Sequence, residues 1–228
     1  MWDFFETIKE NPLFEGIGIS DFKKLISCLP AKSVKCQKND IILLAGNDVN
    51  VVGLVLSGRV RVVKEDAGGD EAILAELSAP NLFCEVFACA ELDYSPITIR
   101  ASDDCEVLLM DYRKIIEACP SVCPYHIRLN RNLLRAVARK SLLLNQKVEI
   151  LSKRSIRERL ICFFDMQRGA AKEFTIPYNR EEMARYLCVD RSAMSNEISK
   201  MQKEGLIRFN RNDFEILDKL GGFIRIPN

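Results

Sequence analysis

The sequence contains no apolar run near the roughly 18–20 residues that a membrane-spanning helix requires, so no such helix is expected. Its first ten residues carry acidic side chains and no apolar stretch, so a signal peptide is not expected there. Charge of one sign is not in excess either, because 33 basic and 32 acidic residues give a formal net charge of +1. Any nucleic-acid surface must therefore come from local clusters of charge. These absences predict a cytoplasmic chain without a membrane contact.

Histidine is scarce, with one in 228 residues, whereas nine cysteines are many. Because no export signal is present, reduced thiols are expected instead of a disulfide framework. Most of them are expected to be small buried hydrophobes, and redox or metal chemistry at a subset is the alternative. A thiol or metal enzyme finds little support, because no nucleophile with an activating base is visible.

Short strands are predicted between residues 34 and 111, after short helices in the first thirty residues. Ile41–Leu44 and Val51–Leu56 are compact apolar runs that end in turn residues. Ala67–Asp70 predicts a hairpin turn, since its glycines adopt positive φ. Several short strands at this spacing predict a barrel or sandwich, here a jelly-roll barrel, within an α+β fold.

One long helix is predicted from Tyr125 to Lys153, a stretch without proline or glycine. Apolar residues recur along it at intervals of three and four, which predicts a dimer seam. A single buried helix in a monomer is the alternative. A neighbouring face is expected to pack on the chain's own barrel. The seam consists of Leu134, Val137, Ser141, Leu144, Val148 and Leu151, and the neighbouring face of Leu129, Leu133, Ala136, Leu143 and Ile150.

The chain is predicted to break at Ser152–Ser155, because Ser155 and Glu158 have the spacing of a capping box. We expect three parts: a barrel at 1–124, a dimerisation helix at 125–153 and a winged helix-turn-helix at 154–228.

Two short helices joined by a tight turn are predicted near the C-terminus. Asn179 caps the first, which runs from Arg180 to Leu187, and Asp190 caps the second. The outer side of the second helix is expected to carry side chains that bind base edges, as Arg does with guanine. Residues 206–217 predict a hairpin, the wing. The predicted DNA-binding residues are Asn179, Arg180, Arg191, Ser192, Ser195, Asn196 and Lys200.

With these segments the chain resembles the cyclic-AMP receptor protein/FNR (Crp/Fnr) superfamily of bacterial transcription regulators. The resemblance is most specific at residues 179–184, 189–195 and 204–207, which have the spacing of the family's DNA-binding signature. It implies a cyclic-nucleotide-binding-like barrel, a homodimer, double-stranded DNA and RNA polymerase as partners, and an effector. Arg191, Ser192, Ser195 and Asn196 match the base-reading positions of the family.

The barrel departs from the family pattern where a cyclic nucleotide binds. The family's Gly-Glu-x-Gly segment is Cys84-Glu85-Val86-Phe87 here, and its Arg-Ser pair is Ser95-Pro96. Both glycines and the phosphate-neutralising arginine are therefore missing. The resemblance implies an effector pocket bordered by Cys84, Glu85, Phe87, Ser95, Leu144 and Asn145. Its effector is unidentified and not expected to be cyclic AMP.

A cofactor is not identified. The N-terminal cysteine cluster that carries iron and sulfur in the FNR branch is absent, with Cys28 and Cys36 the nearest. Cys119, Cys123 and His126 are weak candidates for metal or haem. Cys84 and Cys89 are candidate redox-sensing thiols. Two other functions stay open: a cyclic-nucleotide-binding regulatory protein without DNA, and a thiol- or metal-dependent enzyme.

Overall fold

The computed structural model describes residues 5–29, 31–65, 71–117 and 123–217. The chain divides into two compact units, Met1–Lys140 and Ser141–Asn228, and the border falls inside the longest helix. The three-part division at residues 124 and 153 stays a prediction. The predicted hairpin turn at 67–70 lies outside the described residues.

The first unit begins with helices and continues with two antiparallel sheets of four strands each. Its helices are α1 (Phe5–Ile8), a 3-10 turn (Pro12–Phe14), α2 (Ile19–Cys28), α3 (Glu85–Cys89), α4 (Tyr112–Ile116) and the first part of α5 (Pro124–Ser152). Its strands are β1 (Ala31–Cys36), β2 (Ile41–Leu43), β3 (Val51–Ser57), β4 (Arg59–Glu65), β5 (Glu71–Ser78), β6 (Leu82–Phe83), β7 (Thr98–Ala101) and β8 (Cys105–Asp111). The strand orders are β1-β8-β3-β6 and β2-β7-β4-β5.

The strands confirm the predicted jelly-roll architecture, and its two sheets are not joined into a closed barrel. In the described residues no strand pairing joins the two sheets. The reason is visible at Gly58, where the chain leaves β3 and enters β4 in the other sheet. Its φ of +71° forms a corner that would be strained for other residues.

Strand β3 is buried on both faces. Val52 and Leu54 belong to a core shared with the N-terminal helices and α5, whereas Val55 faces a second core with residues of the other sheet. Successive side chains of a strand point to opposite faces of the sheet. A strand that is buried on both faces, such as β3, therefore needs a continuous run of apolar residues.

The first part of α5 is held to the N-terminal helices, as predicted for Leu129 and Leu133 of the neighbouring face. The same prediction is wrong for Leu143, which is exposed, and for Ile150, which is buried in the core of the second unit. Leu129 and Leu133 are buried in the first core. The Asn132 side-chain amide donates to the carbonyl oxygens of Leu13 and Glu15 at 3.0 and 2.9 Å.

No helix among the described residues has both the length and the apolar character to span a bilayer.

The second unit contains the end of α5, three further helices and a three-stranded sheet of order β10-β11-β9. Its elements are α6 (Ile156–Arg168), β9 (Glu173–Thr175), α7 (Arg180–Leu187), α8 (Arg191–Lys203), β10 (Ile207–Asn210) and β11 (Asp213–Ile216). The predicted break between α5 and α6 is confirmed, and the capping box of Ser155 and Glu158 is formed.

Candidate nucleic-acid interface and sensor segment

The caps predicted for the two C-terminal helices are present. The Asn179 side chain accepts from the Glu182 amide at 2.9 Å, and the Glu182 carboxylate accepts from the Asn179 amide at 2.8 Å. Asp190 accepts from the Ala193 amide at 2.8 Å at the start of α8. Between the helices Cys188 adopts a left-handed conformation with φ of +52°, which turns the chain sharply. These contacts fix a helix-turn-helix, and they engage the Asn179 side chain in the cap.

Helix α8, the recognition helix, has one buried and one exposed face. Met194, Ile198 and Met201 are buried in the core of the second unit. The opposite face presents Arg191, Ser192, Asn196, Ser199 and Lys200 to solvent, with Ser195 half-buried between them. Ser199 was not among the predicted residues, although its position four residues after Ser195 places it on the same face.

An open groove of about 610 Å³ lies between the start of α7, the start of α8 and the β10–β11 hairpin, the wing. Three arginines line it: Arg180, Arg191 and Arg211. The Arg180 guanidinium lies over the rings of Phe209 and Phe214, at 5.0 and 5.1 Å from their centroids. Its burial lowers the pKa of Arg180. Arg180 is thus anchored on the wing, whereas Arg191 and Arg211 are exposed.

An ion-pair cluster attaches the recognition helix to α6. Arg157 pairs with Glu197 in the middle of α8 and forms two hydrogen bonds, of 2.7 and 3.0 Å, with Glu204 at its end. These hydrogen bonds from Arg157 lower the pKa of Glu204. The arrangement neutralises Glu197 of α8 and Glu204 directly after it, which leaves the outward charge of the helix basic.

Arg159 links the end of α5 to the turn of the helix-turn-helix. Its guanidinium donates to the backbone carbonyl of Lys153 at 3.1 Å and to those of Leu187 and Cys188 at 3.1 and 3.2 Å. Nearby, Lys147 lies over the Tyr186 ring at 3.8 Å, and Ile150 is fully buried in the core of the second unit. The last turns of α5 are therefore part of the winged-helix unit.

The predicted seam is largely exposed. Leu134, Leu144 and Val148 expose 71%, 65% and 64% of their surface, and Val137 and Leu151 are half-buried. Exposed leucines in such a row are unusual for a monomer, because they leave apolar area in water.

Residues 82–96 form the sensor segment, where the family pattern predicts the effector pocket. Cys84 is buried in the left-handed region with φ of +63°, which the family's glycine would occupy without strain. The Glu85 carboxylate is 1% exposed and forms an ion pair with Lys140 of α5. A buried carboxylate requires such a counter-charge.

The other predicted pocket residues either make contacts of their own or lie in the second unit. Phe87 is half-buried and contacts both cores of the first unit. The Ser95 hydroxyl donates to the Ile97 carbonyl at 2.6 Å, so it is engaged within its own loop. Leu144 and Asn145 are exposed residues of α5 that belong to the second unit. The residues of the sensor segment do not fit a cyclic nucleotide phosphate, because no arginine and no glycine cradle stands there.

The candidate redox thiols of the sensor segment have high pKa values. Burial raises the pKa of Cys84 to about 12 and that of Cys89 to about 11, and the Glu85 charge adds to both. Few thiolates form at neutral pH, so these cysteines lack the activation that a rapidly reacting sensor thiol needs.

The weak metal candidates are only partly described. Cys119 lies outside the described residues. Cys123 is buried, and so is His126, whose Nε2 donates to the Ile115 carbonyl at 2.8 Å. Across the described part of the chain no group of three His, Cys, Asp or Glu side chains has a metal-binding arrangement.

Comparison with known families gives two matches in succession. The model of the cyclic nucleotide-binding domain matches residues 33–121, and that of the Crp-like helix-turn-helix domain matches residues 156–220. Together they span the two sheets of the first unit and the helix-turn-helix with its wing.

Individual proteins resemble the chain over most of its length. The transcriptional activator protein FnrA of Stutzerimonas stutzeri is 24% identical over 194 residues, 81% of this chain and 76% of that protein. The cyclic AMP receptor protein of Thermus thermophilus is 25% identical over 214 residues, 92% and 94% of the two chains. The crystal structure of the Thermus thermophilus catabolite activator protein has a TM-score of 0.53 at 22% identity and covers 90% of this chain and 93% of its own.

Proposed function

Because the chain belongs to the Crp/Fnr superfamily and is a transcription regulator, not an enzyme, we propose that it binds a pseudo-palindromic DNA site as a homodimer under the control of an effector other than cyclic AMP. The observation that carries the proposal is the exposed polar face of the recognition helix beside a groove lined by arginines. Such a regulator acts in the cytoplasm, with RNA polymerase as its partner.

We assign two kinds of DNA contact to this surface. Arg191, Ser192, Ser195, Asn196 and Ser199 face outward from α8 and read base edges in the major groove. The remaining contacts are to phosphate oxygens, through Arg211 at the tip of the wing and Lys200 further along α8. Asn179 supports this surface as a helix cap, and Arg180 of α7 supports it by packing on the wing.

Two substitutions distinguish these roles. Duplexes selected from a random pool supply the binding site, and affinity is then measured over a salt series. Arg191→Ala is expected to cost roughly 1–3 kcal/mol and to relax specificity at one position of each half-site. Arg211→Ala is expected to weaken all sequences alike and to lower the salt slope by about one. If Arg191→Ala also weakens all sequences alike, its assignment to a base is refuted.

Dimerisation supplies the two-fold symmetry that a pseudo-palindromic site requires. The seam on α5 is the supporting surface, because burying its exposed leucines against a second copy removes apolar area from water. The two recognition helices would then enter successive major grooves about 34–36 Å apart.

Cyclic AMP is a poor match for the sensor segment. Glu85 is already paired with Lys140, Phe87 fills space between the two cores, and the Ser95 hydroxyl is engaged. Calorimetry with cyclic AMP is expected to give no micromolar binding. Micromolar affinity would refute this part of the proposal. A set of candidate effectors is then screened by the same measurement.

We propose that binding of the effector changes the DNA-binding surface through α5. An effector changes the outcome only if it binds one arrangement of the protein better than another. Lys147, Ile150 and Arg159 attach the end of α5 to the winged helix, so any rotation of that end carries the recognition helix with it. Arg159→Met is expected to leave the protein folded and to reduce the change in operator affinity on adding effector.

A further inference from the structure

Two cysteines are direct partners across neighbouring strands of the first unit. Cys36 is the last residue of β1, Cys105 is the first residue of β8, and the two face each other in the antiparallel register. Both are buried, at 9% and 5% exposure, in the core that lies between the sheets. Because directly opposed side chains of an antiparallel pair lie on the same face of the sheet, the two thiols are neighbours.

Their position satisfies the main distance requirement of a disulfide. Residues opposite each other in an antiparallel pair have Cα atoms about 4.5 or 5.5 Å apart, and disulfides span about 4.4–6.8 Å. Opposed Cβ atoms lie about 4.5–5.5 Å apart, whereas a disulfide prefers about 3.8 Å. A bond between the two sulfurs therefore needs a small approach of the strands. That strain favours a bond which can be reduced again.

No other two of the eight cysteines that the structure describes share a strand register. Cys84 and Cys89 are separated along one short helix, and Cys28 and Cys188 are exposed residues of different units.

We propose that Cys36 and Cys105 form a reversible dithiol/disulfide couple that covalently joins β1 to β8 under oxidising conditions. The couple is a modification site in the first unit, separate from the sensor segment. It requires neither DNA nor a dimer, so its failure would leave the proposed operator binding untouched.

The oxidant is a small-molecule disulfide such as oxidised glutathione. The Cys36 thiolate attacks one of its sulfur atoms, which forms a mixed disulfide and releases one thiolate. The Cys105 thiolate then attacks the Cys36 sulfur, forms the protein disulfide and releases the second thiolate. The two protons of the protein thiols pass to the released thiolates, and the small disulfide is reduced by two electrons.

Access to Cys36 comes from the edge of the sheet. Strand β1 is an edge strand, and the chain continues from Cys36 into the exposed turn of residues 37–40. Fraying of this strand end exposes Cys36 without unfolding the unit. Burial raises the pKa of Cys36, and it raises that of Cys105 to about 11. Exchange is therefore slow at neutral pH, and the rate is expected to rise about tenfold per pH unit while the thiolate is scarce.

The test uses the intact protein equilibrated in a series of glutathione buffers, from fully reduced to fully oxidised. Remaining thiols are alkylated, and the unreduced protein is digested with trypsin. Cleavage after lysine and arginine releases Cys36 in residues 36–38 and Cys105 in residues 101–113, and each fragment holds one cysteine. The expected product is these two fragments joined, formed in at least half of the protein in the oxidising buffers and lost on return to reducing ones.

Variants without the exposed thiols serve as the matched control. Cys28→Ser with Cys188→Ser is expected to leave the yield of the joined fragments unchanged, because neither residue belongs to the pair. Cys105→Ala is expected to give no joined fragments, because the reaction stops at the mixed disulfide of Cys36 with glutathione. The proposal is overturned if both fragments of the wild-type protein stay alkylated in the most oxidising buffer, or if Cys36 is found joined to a different cysteine. These peptide results come from the wild-type chain, so they stand even if a variant fails to fold.

Discussion

Substitution of Leu144 by aspartate tests the dimer seam directly. Leu144 exposes 65% of its surface in the single chain. Complete burial of a leucine is worth about 1.5–3 kcal/mol, so covering this part contributes about 1–2 kcal/mol per protomer. A two-fold interface contains the residue twice, which gives about 2–4 kcal/mol per dimer.

Leu144→Asp is therefore expected to raise the dimer dissociation constant at least about 30-fold, since 1.4 kcal/mol corresponds to a factor of ten. The carboxylate adds to this effect, because the interface would have to desolvate its charge. Sedimentation velocity over a concentration series measures the constant for wild type and variant.

Leu142→Asp is the matched control. Leu142 lies on the same helix with 60% exposure, but two residues place it about 200° around the helix from Leu144. It is expected to keep the wild-type dissociation constant. Equal weakening by both variants, or by neither, would refute the assignment of the seam.

Three further predictions concern stability. Lys140→Met is expected to destabilise the first unit by roughly 1–3 kcal/mol in denaturant unfolding, because it leaves the buried Glu85 charge unpaired, and Glu85→Gln in the same chain should restore most of the loss. The folded-state pKa of Glu204 is lowered by Arg157, so this pair stabilises the fold above pH 4.5 and its contribution is lost as the pH falls through the folded value. The unfolding temperature of Arg157→Met should accordingly depend less on pH than that of the wild type between about pH 5 and 3. An unchanged dependence would exclude the Arg157–Glu204 pair as the source of the wild-type pH dependence. Ser155→Ala is expected to cost about 1 kcal/mol through the cap of α6, whereas Ser155→Asn should cost little.

Much of the second unit was predictable because its signals are local. Asn179, Asp190 and Ser155 each precede a helix and cap it through a hydrogen bond within three residues. Turn and cap chemistry depends on neighbours in the chain, so the sequence shows it. The long helix was predictable for the same reason, since its two apolar faces repeat within a few residues.

Contacts between distant residues were not predictable. The pairing of Cys36 with Cys105 depends on a strand register across 69 positions, and nothing near either residue indicates it. The ion pair of Glu85 with Lys140 likewise joins two distant elements. Strand spacing is similar in barrels and sandwiches, so the sequence alone did not decide whether the two sheets close into a barrel. The corner at Gly58, which moves the chain to the other sheet, becomes evident only in the fold.

The junction at Arg159 has a consequence for how such a protein can change during evolution. The guanidinium contacts the carbonyl oxygens of Lys153, Leu187 and Cys188, not their side chains. Every residue type offers the same carbonyl, so these three positions can mutate without losing the contact. A single arginine therefore preserves the connection between the end of α5 and the turn that precedes the recognition helix. The surrounding residues can meanwhile change so that the protein binds new operators and new effectors.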